Sequence, residues 1–195
     1  MGAPFADVES YVTRPTPRSD TVRSATPMLR LAAAATLLFM SACVAGSGTH
    51  ACGPQVADQS IDLPEFTGTT IDGSSIDLAE YREGTVVLNV WGSWCAPCRI
   101  EAPELEKAAA KLTPEGVRFL GVAVRDSTTG AQAFDAEFGI PYPSVFDDPS
   151  RLAADLGASS PPTTFVARDG VVQSVIRGQT DAATIQCAVD HVNQA

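Results

Sequence analysis

Two cysteines separated by two residues lie between an apolar run and a helical pattern. Trp94-Cys95-Ala96-Pro97-Cys98 comes directly after the β-branched, apolar stretch 85–91. Thiols at this spacing can close a small disulfide ring without any movement of the backbone. The free N–H groups and the dipole at the start of a helix favour a thiolate, which is the form that attacks other disulfides. The pentapeptide therefore predicts a strand–turn–helix unit and thiol–disulfide exchange.

The size and charge of the chain exclude several classes of protein. A chain of 195 residues has room for one ordinary domain and a leader. With 45% hydrophobic and 18% charged residues, its composition is globular. The formal net charge is −10, and the sequence has no basic stripe that could bind phosphates. Nucleic acid is therefore not expected as a partner.

An uncharged, mostly apolar stretch follows Arg30. It covers residues 31–42, which is shorter than the roughly 20 residues of a bilayer-spanning helix and typical of a signal-peptide core. Met40-Ser41-Ala42-Cys43 resembles the box at which bacterial lipoproteins are lipidated and cleaved, with Met40 in place of the usual Leu. We expect lipidation at Cys43; the alternative is ordinary cleavage to a soluble secreted form.

These features predict three regions. Residues 1–43 form a disordered leader and signal peptide, 44–59 a flexible tether rich in small residues, and 60–195 a single domain. The segment before Met28 is rich in Pro, Thr, Ser and Arg, whereas a start at Met28 gives a compact signal peptide. We therefore expect Met28 rather than Met1 to be the true start.

From residue 60 onward, strand and helix patterns alternate. An N-terminal hairpin of residues 61–70 and 74–78 is predicted around the turn Asp72-Gly73, and a second hairpin around Arg168-Asp169-Gly170. The remaining predicted elements are strands at 85–91 and 117–124, and helices at 96–112, 129–138, 151–156 and from the cap Asp181 to about 193. This order predicts an α/β fold with a mixed central sheet flanked by helices.

The helix after the cysteines carries a carboxylate on the same face as the second cysteine. Cys98, Glu101 and Leu105 are three and four residues apart and share one helix face. Burial on that face would raise the pKa of Glu101 and let it exchange a proton with Cys98 near neutral pH. The alternative is a helix rotation that leaves Glu101 in water.

The stretch Cys95-Ala-Pro-Cys-Arg-Ile-Glu-Ala-Pro103 resembles the TlpA/ResA-like branch of the thioredoxin superfamily, and the similarity extends over about 60–193. This resemblance implies a thioredoxin fold into which a helix and a strand are inserted at 129–148. It also makes Glu101 an active-site residue. Thioredoxin itself has a buried aspartate where this chain has Asn89, a difference that suits the extracytoplasmic branch.

The resemblance assigns roles to the site residues. Cys95 would be the exposed attacking thiol, Cys98 the resolving thiol, and Glu101 the group that manages the proton of Cys98. Trp94 would shield the pair on one side.

The resemblance also predicts a substrate groove. Pro97, together with Pro162 and Thr163 of a cis-proline loop, would line it. Pro161 departs from the family pattern, because proline has no N–H to offer a bound peptide.

By resemblance, the protein would reduce protein disulfides outside the cytoplasm, including those of apocytochrome c. It would be a monomer without a cofactor, anchored to the outer face of the membrane and supplied with electrons by a membrane thiol carrier. The alternative is an oxidant that forms disulfides in secreted proteins.

Several other functions are disfavoured. His50, His191, Cys52 and Cys187 have no partner spacing, so no metal site is predicted. A peroxidase would need a Pro-x-x-x-Thr-x-x-Cys motif, but Gly92 stands three residues before Cys95. Covalent haem attachment would need a histidine directly after the second cysteine. A purely structural lipoprotein, with the two cysteines as a fixed staple, is the remaining alternative.

Two further pairs of residues are predicted to take no part in catalysis. Cys52 and Cys187 are interpreted as non-catalytic, and the sequence leaves open whether they pair. Arg125-Asp126 is interpreted as a solvated loop pair rather than part of the active-site rim.

Overall fold

A mixed six-stranded sheet forms the centre of the fold. The computed structural model describes residues 50–195. The strand order is β1-β8-β7-β4-β5-β6, in which β4, β5 and β6 run parallel and the other neighbours antiparallel. The strands are β1 (Val56–Asp62), β4 (Thr85–Trp91), β5 (Arg118–Val124), β6 (Ser144–Asp147), β7 (Thr163–Arg168) and β8 (Val171–Arg177). The predicted mixed sheet is confirmed.

Within residues 50–195, four α-helices accompany the sheet: α1 (Ala96–Leu112), α2 (Thr128–Phe138), α3 (Arg151–Asp155) and α4 (Ala182–Gln194). The predicted insertion is present, because α2 and β6 follow β5 and β6 extends the sheet at that edge. Asp181 caps α4 as predicted, and its side chain accepts a hydrogen bond from the Thr184 amide. The thioredoxin fold is therefore confirmed with its added helix and strand.

The folded region begins earlier than predicted. β1 starts at Val56 and pairs with β8, so positions 56–59 are part of the sheet and not of a tether. An edge strand keeps much of its side-chain surface in water, and most side chains of β1 are indeed exposed or half-buried. The segment therefore shows no apolar run. The predicted leader, signal peptide, lipidation site at Cys43 and first part of the tether lie outside the described residues.

The predicted N-terminal hairpin exists but is shorter. β2 (Thr67–Thr69) and β3 (Ser75–Asp77) form a separate two-stranded sheet around a turn in which Gly73 has a φ of +91°. Glycine suits this turn because it adopts positive φ without a steric penalty. Residues 61 and 62, predicted for the hairpin, belong instead to β1.

The central strand β4 separates two parts of the hydrophobic core. All seven of its residues are buried, as its apolar sequence predicts for a strand covered on both faces. Leu88 packs in a cluster with Leu120 and Phe165, whereas Val87 packs in a second cluster with Leu105 of α1 and Ile185 of α4. Alternate residues of β4 therefore face opposite layers, and those of the Val87 parity face α1.

The two ends of the domain are joined covalently. Cys52 and Cys187 form a disulfide across 135 residues of chain. The rings of His50 and His191 lie beside each other, with centroids 4.7 Å apart. The sequence left open whether the two cysteines pair, and the structure shows that they do, because pairing of β1 with β8 brings the start of the domain close to α4.

Within residues 50–195, the structure contains no helix that is both long enough and apolar enough to span a bilayer.

Opening the Cys52–Cys187 disulfide is expected to destabilise the domain. A crosslink that closes a long loop restricts the unfolded chain, and its loss typically costs about 2–4 kcal/mol. The double variant Cys52→Ser/Cys187→Ser, with Cys95–Cys98 intact, should lose about that much free energy of unfolding in urea. An unchanged urea midpoint at unchanged slope would show that this crosslink does not stabilise the fold.

Candidate active site

The cysteine pair lies at the junction of the central strand and the first helix. β4 ends at Trp91, a short turn follows at 92–94 (the cysteine turn), and Cys95 is the N-cap of α1. Its sulfur accepts a hydrogen bond from the Cys98 amide at 3.2 Å. The two cysteines form a disulfide, as the spacing predicts. A thiolate formed at Cys95 on reduction would face the free amides of this helix end.

The disulfide-bonded cysteines are almost completely covered. Cys95 is 4% exposed and Cys98 1% exposed, so the prediction of an exposed Cys95 is wrong for this redox state. Both residues belong to an apolar cluster that includes Trp91 and Phe134, whose rings stack with centroids 4.4 Å apart. The helix α2 of the insertion contributes Phe134. The insertion therefore helps to enclose the disulfide.

Glu101 lies one helical turn after Cys98 and is completely buried. Its burial confirms the helix-face prediction and excludes the solvated alternative. One carboxylate oxygen accepts a hydrogen bond from Asn89 Nδ2 at 2.9 Å, and the other accepts one from the Thr180 amide at 3.1 Å. Desolvation raises the pKa of Glu101 to about 7, although these two hydrogen bonds oppose the shift. The carboxyl group therefore titrates in the neutral range, where proton exchange with a thiol is feasible.

Asn89 is a site residue whose function the sequence did not reveal. It is buried in β4 and donates to Thr164 Oγ1 at 3.0 Å as well as to Glu101. Strand parity was an available signal, because Asn89 has the parity of Val87 and so faces α1. The Asn89 side chain in β4 thus bonds to Glu101 of α1 and to Thr164 of β7.

Asp126 and Arg125 organise the rim of the site. Asp126 accepts hydrogen bonds from the Ser93 amide at 2.5 Å and from Ser93 Oγ at 2.8 Å. The Arg125 guanidinium lies 4.9 Å from the centre of the Trp94 ring. Arg125 is exposed, as the interpretation of a solvated loop pair expects, but Asp126 is half-buried and bonded to Ser93, so the pair does belong to the rim of the site. The parallel strands β4 and β5 end at the same edge of the sheet, which brings the loops that follow them together.

Trp94 is held at the surface beside the cysteines. It is 51% exposed, and its Nε1 donates to the Val124 carbonyl at 3.3 Å. The ring is therefore fixed at one edge, and the Arg125 guanidinium lies over one of its faces. Pro97 is also exposed, in the first turn of α1.

The cis-proline prediction is confirmed. The peptide bond between Pro161 and Pro162 is cis, and Pro162 is buried. Because Thr163 pairs with Val90, Pro162 lies at the register position beside Trp91, where β4 leads into the cysteine turn. Thr163 is also buried, and its hydroxyl donates to the Ser160 carbonyl at 2.7 Å. A cavity of about 310 Å³ opens between Arg125 and Pro161.

A disulfide at the N-terminus of the first helix, a buried carboxyl one turn later and a neighbouring cis-proline define a thiol–disulfide oxidoreductase of the thioredoxin fold. A protein-family model described as the AhpC/TSA family matches residues 61–175. The chain belongs to this family.

Relatives of known name agree with that class. The chain is 32% identical over 116 residues to the thiol-disulfide oxidoreductase ResA of Geobacillus thermodenitrificans, which covers 59% of this chain and 67% of the relative. It is 40% identical over 101 residues to the thiol:disulfide interchange protein HelX of Rhodobacter capsulatus, covering 51% of this chain and 54% of the relative.

Solved structures show the same similarity. A DsbF homologue from Corynebacterium diphtheriae is 31% identical with a TM-score of 0.64, covering 75% of this chain and 95% of that one. A secreted disulfide oxidoreductase of Mycobacterium tuberculosis, homologous to DsbE of E. coli, is 26% identical with a TM-score of 0.60. It covers 65% of this chain and 96% of that structure.

Replacing Glu101 by glutamine is expected to change how stability depends on pH. The folded protein binds the Glu101 proton with a pKa of about 7, against 4.5 for the unperturbed group. The stability that protonated Glu101 contributes is therefore fully present below about pH 4.5 and is lost as the pH rises through 7. Relative to Glu101→Gln, the wild type should lose about 3 kcal/mol of unfolding free energy over this interval.

The measurement is urea unfolding of the disulfide form between pH 4 and 8.5. Glu106→Gln, on the same helix, is the matched control and should follow the wild-type profile. Parallel profiles for Glu101→Gln and wild type would contradict the assigned titration.

Proposed function

We propose that this protein is an extracytoplasmic reductase that transfers two electrons from its Cys95–Cys98 dithiol to disulfides of other proteins. The observation that carries the proposal is the pairing of a helix N-cap disulfide with a buried carboxyl one turn away. The first feature favours a reactive thiolate, and the second supplies a proton acceptor beside the other thiol.

The first step is attack by the Cys95 thiolate on a sulfur of the substrate disulfide. A mixed disulfide forms between Cys95 and that sulfur, and the substrate's other sulfur leaves as a thiolate. The amides at the start of α1 stabilise negative charge on Cys95 before the attack.

The second step releases the substrate. The Cys98 thiol transfers its proton to the Glu101 carboxylate, and the resulting thiolate attacks the Cys95 sulfur. The Cys95–Cys98 disulfide forms again and the second substrate sulfur leaves as a thiolate, so one substrate disulfide has become a dithiol. A Glu101 pKa of about 7 leaves a useful fraction of the group ionised at neutral pH.

The proposed substrate groove lies beside Cys95. Trp94 and Pro97 are on one side, and the loop of Pro162 and Thr163, both buried in the disulfide form, is on the other. Because Pro161 lacks an N–H, an extended substrate segment must take a hydrogen bond from elsewhere at this position. Arg125, which lines the adjoining cavity, is a positively charged group within reach of such a segment.

The proposed location is the outer face of the cell membrane, with Cys43 lipidated and the protein acting as a monomer. The Cys52–Cys187 disulfide supports a location outside the cytoplasm, since such crosslinks persist in oxidising compartments. There the protein needs a source of electrons, and a membrane thiol carrier is the partner we propose. Apocytochrome c is the proposed substrate. Secretion in soluble form is the alternative.

The catalytic roles are tested by trapping. Cys98→Ser should accumulate a mixed disulfide with a substrate protein through Cys95, because the resolving thiol is missing. Cys95→Ser should form none, and both variants should lose turnover of a protein disulfide. Cys52→Ser/Cys187→Ser is the control that should keep turnover. A mixed disulfide trapped through Cys98 in Cys95→Ser would reverse the assigned roles.

The direction of transfer is tested by the reduction potential of the Cys95–Cys98 couple, measured against a thiol buffer. A potential near about −270 mV is expected of a reductase of the thioredoxin kind. A potential near about −120 mV would instead make the protein an oxidant of secreted proteins. A pair that resists reduction altogether would leave only a structural role for it.

The anchor is tested by Cys43→Ala. The wild-type protein should sediment with membranes, whereas the variant should appear in the soluble extracytoplasmic fraction or remain uncleaved. An unchanged membrane fraction with normal cleavage would contradict lipid anchoring at this cysteine.

A further inference from the structure

Three side chains that take no part in the Cys95–Cys98 site converge on one point. Asp58 Oδ1 lies 3.1 Å from His50 Nε2 and 3.2 Å from His191 Nε2. One potential ligand atom from each residue lies within 4.8 Å of the other two. The residues come from the segment before β1, from β1 and from α4, so only the folded chain assembles the group.

The distances suit a metal ion. Zn²⁺ bonds to nitrogen and oxygen at about 2.0–2.1 Å, which in tetrahedral geometry places its ligands about 3.3 Å apart. The two histidine-to-carboxylate distances are within a few tenths of an ångström of that value. The two histidine nitrogens lie at most 4.8 Å apart, so they need to approach each other by no more than about 1.5 Å to admit the ion.

The surroundings combine a fixed ligand with open access. The His50 side chain is 7% exposed, whereas those of His191 and Asp58 are 45% and 72% exposed. The buried ring sets the position of the site, and solvent can supply a water as the fourth ligand. Three protein ligands and a water are a common arrangement for Zn²⁺.

We propose that His50, Asp58 and His191 form a Zn²⁺ site that clasps the start of the domain to α4. Imidazole nitrogens with one carboxylate suit Zn²⁺, whereas Ca²⁺ takes six to eight oxygen ligands. The Cys52–Cys187 disulfide joins the same two parts of the chain. The metal is thus a second link at this place, one that does not depend on the redox state of the cysteines.

The free protein shows what Zn²⁺ has to displace. The Cys52 amide donates to His50 Nδ1 at 3.2 Å, which places the proton of the neutral ring on Nε2, facing Asp58. Zn²⁺ takes the position of that proton, and the ring proton moves to Nδ1. The hydrogen bond from the Cys52 amide is then lost. The loss of this bond lowers the net free energy gained when the metal is coordinated.

The test is isothermal titration of the full chain, without a histidine tag and with both disulfides closed. Closed disulfides keep their four sulfurs from binding the metal, and Cys43→Ala in every protein tested removes the fifth cysteine of the chain. We expect one Zn²⁺ per chain, a rise in the thermal midpoint with added Zn²⁺, and no response to Ca²⁺. His191→Gln and Asp58→Asn should each weaken binding at least tenfold. Both replaced side chains are exposed enough for the variants to fold, which thermal midpoints without metal will verify.

Asp62→Asn is the matched control, since it removes an exposed acid from the same strand and should leave the affinity unchanged. Absence of saturable binding would overturn the proposal. Equal binding by wild type, His191→Gln and Asp58→Asn would also overturn it, as would a Zn²⁺ response that appears only after reduction. None of these three results bears on the Cys95–Cys98 chemistry.

Discussion

The buried carboxyl group of Glu101 connects the reactive helix to the rest of the protein. Its two oxygens accept hydrogen bonds from Asn89 in β4 and from the amide of Thr180 just before α4. A buried carboxyl without such partners would be strongly destabilising, so the strands and α4 must be in place around it. The same burial brings the pKa of Glu101 into the neutral range. A single group therefore links the packing of the domain to its chemistry.

The position of the disulfide follows from where parallel strands end. β4 delivers the cysteine turn, and the neighbouring β5 delivers Asp126, which holds the Ser93 amide and hydroxyl. On the other side of β4, antiparallel β7 begins with the cis-proline loop at the same edge. The sheet order alone therefore assembles three separate segments into one site. The insertion adds Phe134 of α2 to the apolar cluster around the disulfide.

The far edge of the sheet has a different chemistry. Pairing of β1 with β8 places the start of the domain next to α4. Cys52 bonds there to Cys187, and His50 and Asp58 contact His191. The Cys95–Cys98 pair is enclosed by apolar side chains, whereas Asp58 and His191 are open to water. The domain thus separates a protected redox pair from an accessible polar group.

The sequence by itself determined the strand–turn–helix unit at the cysteines, the apolar strands at 85–91 and 117–124, and the helix face that Cys98 shares with Glu101. These follow from local periodicity, because a run of apolar residues or a three–four spacing states which face is covered. The tertiary structure alone decided that β1 begins at Val56, that Asn89 serves Glu101, that Asp126 holds the cysteine turn, and that His50 meets His191. Each of these depends on which strands are neighbours, and neighbours distant in the chain leave no local pattern in either segment. The pairing of strands that are distant in the chain therefore had to be read from the tertiary structure.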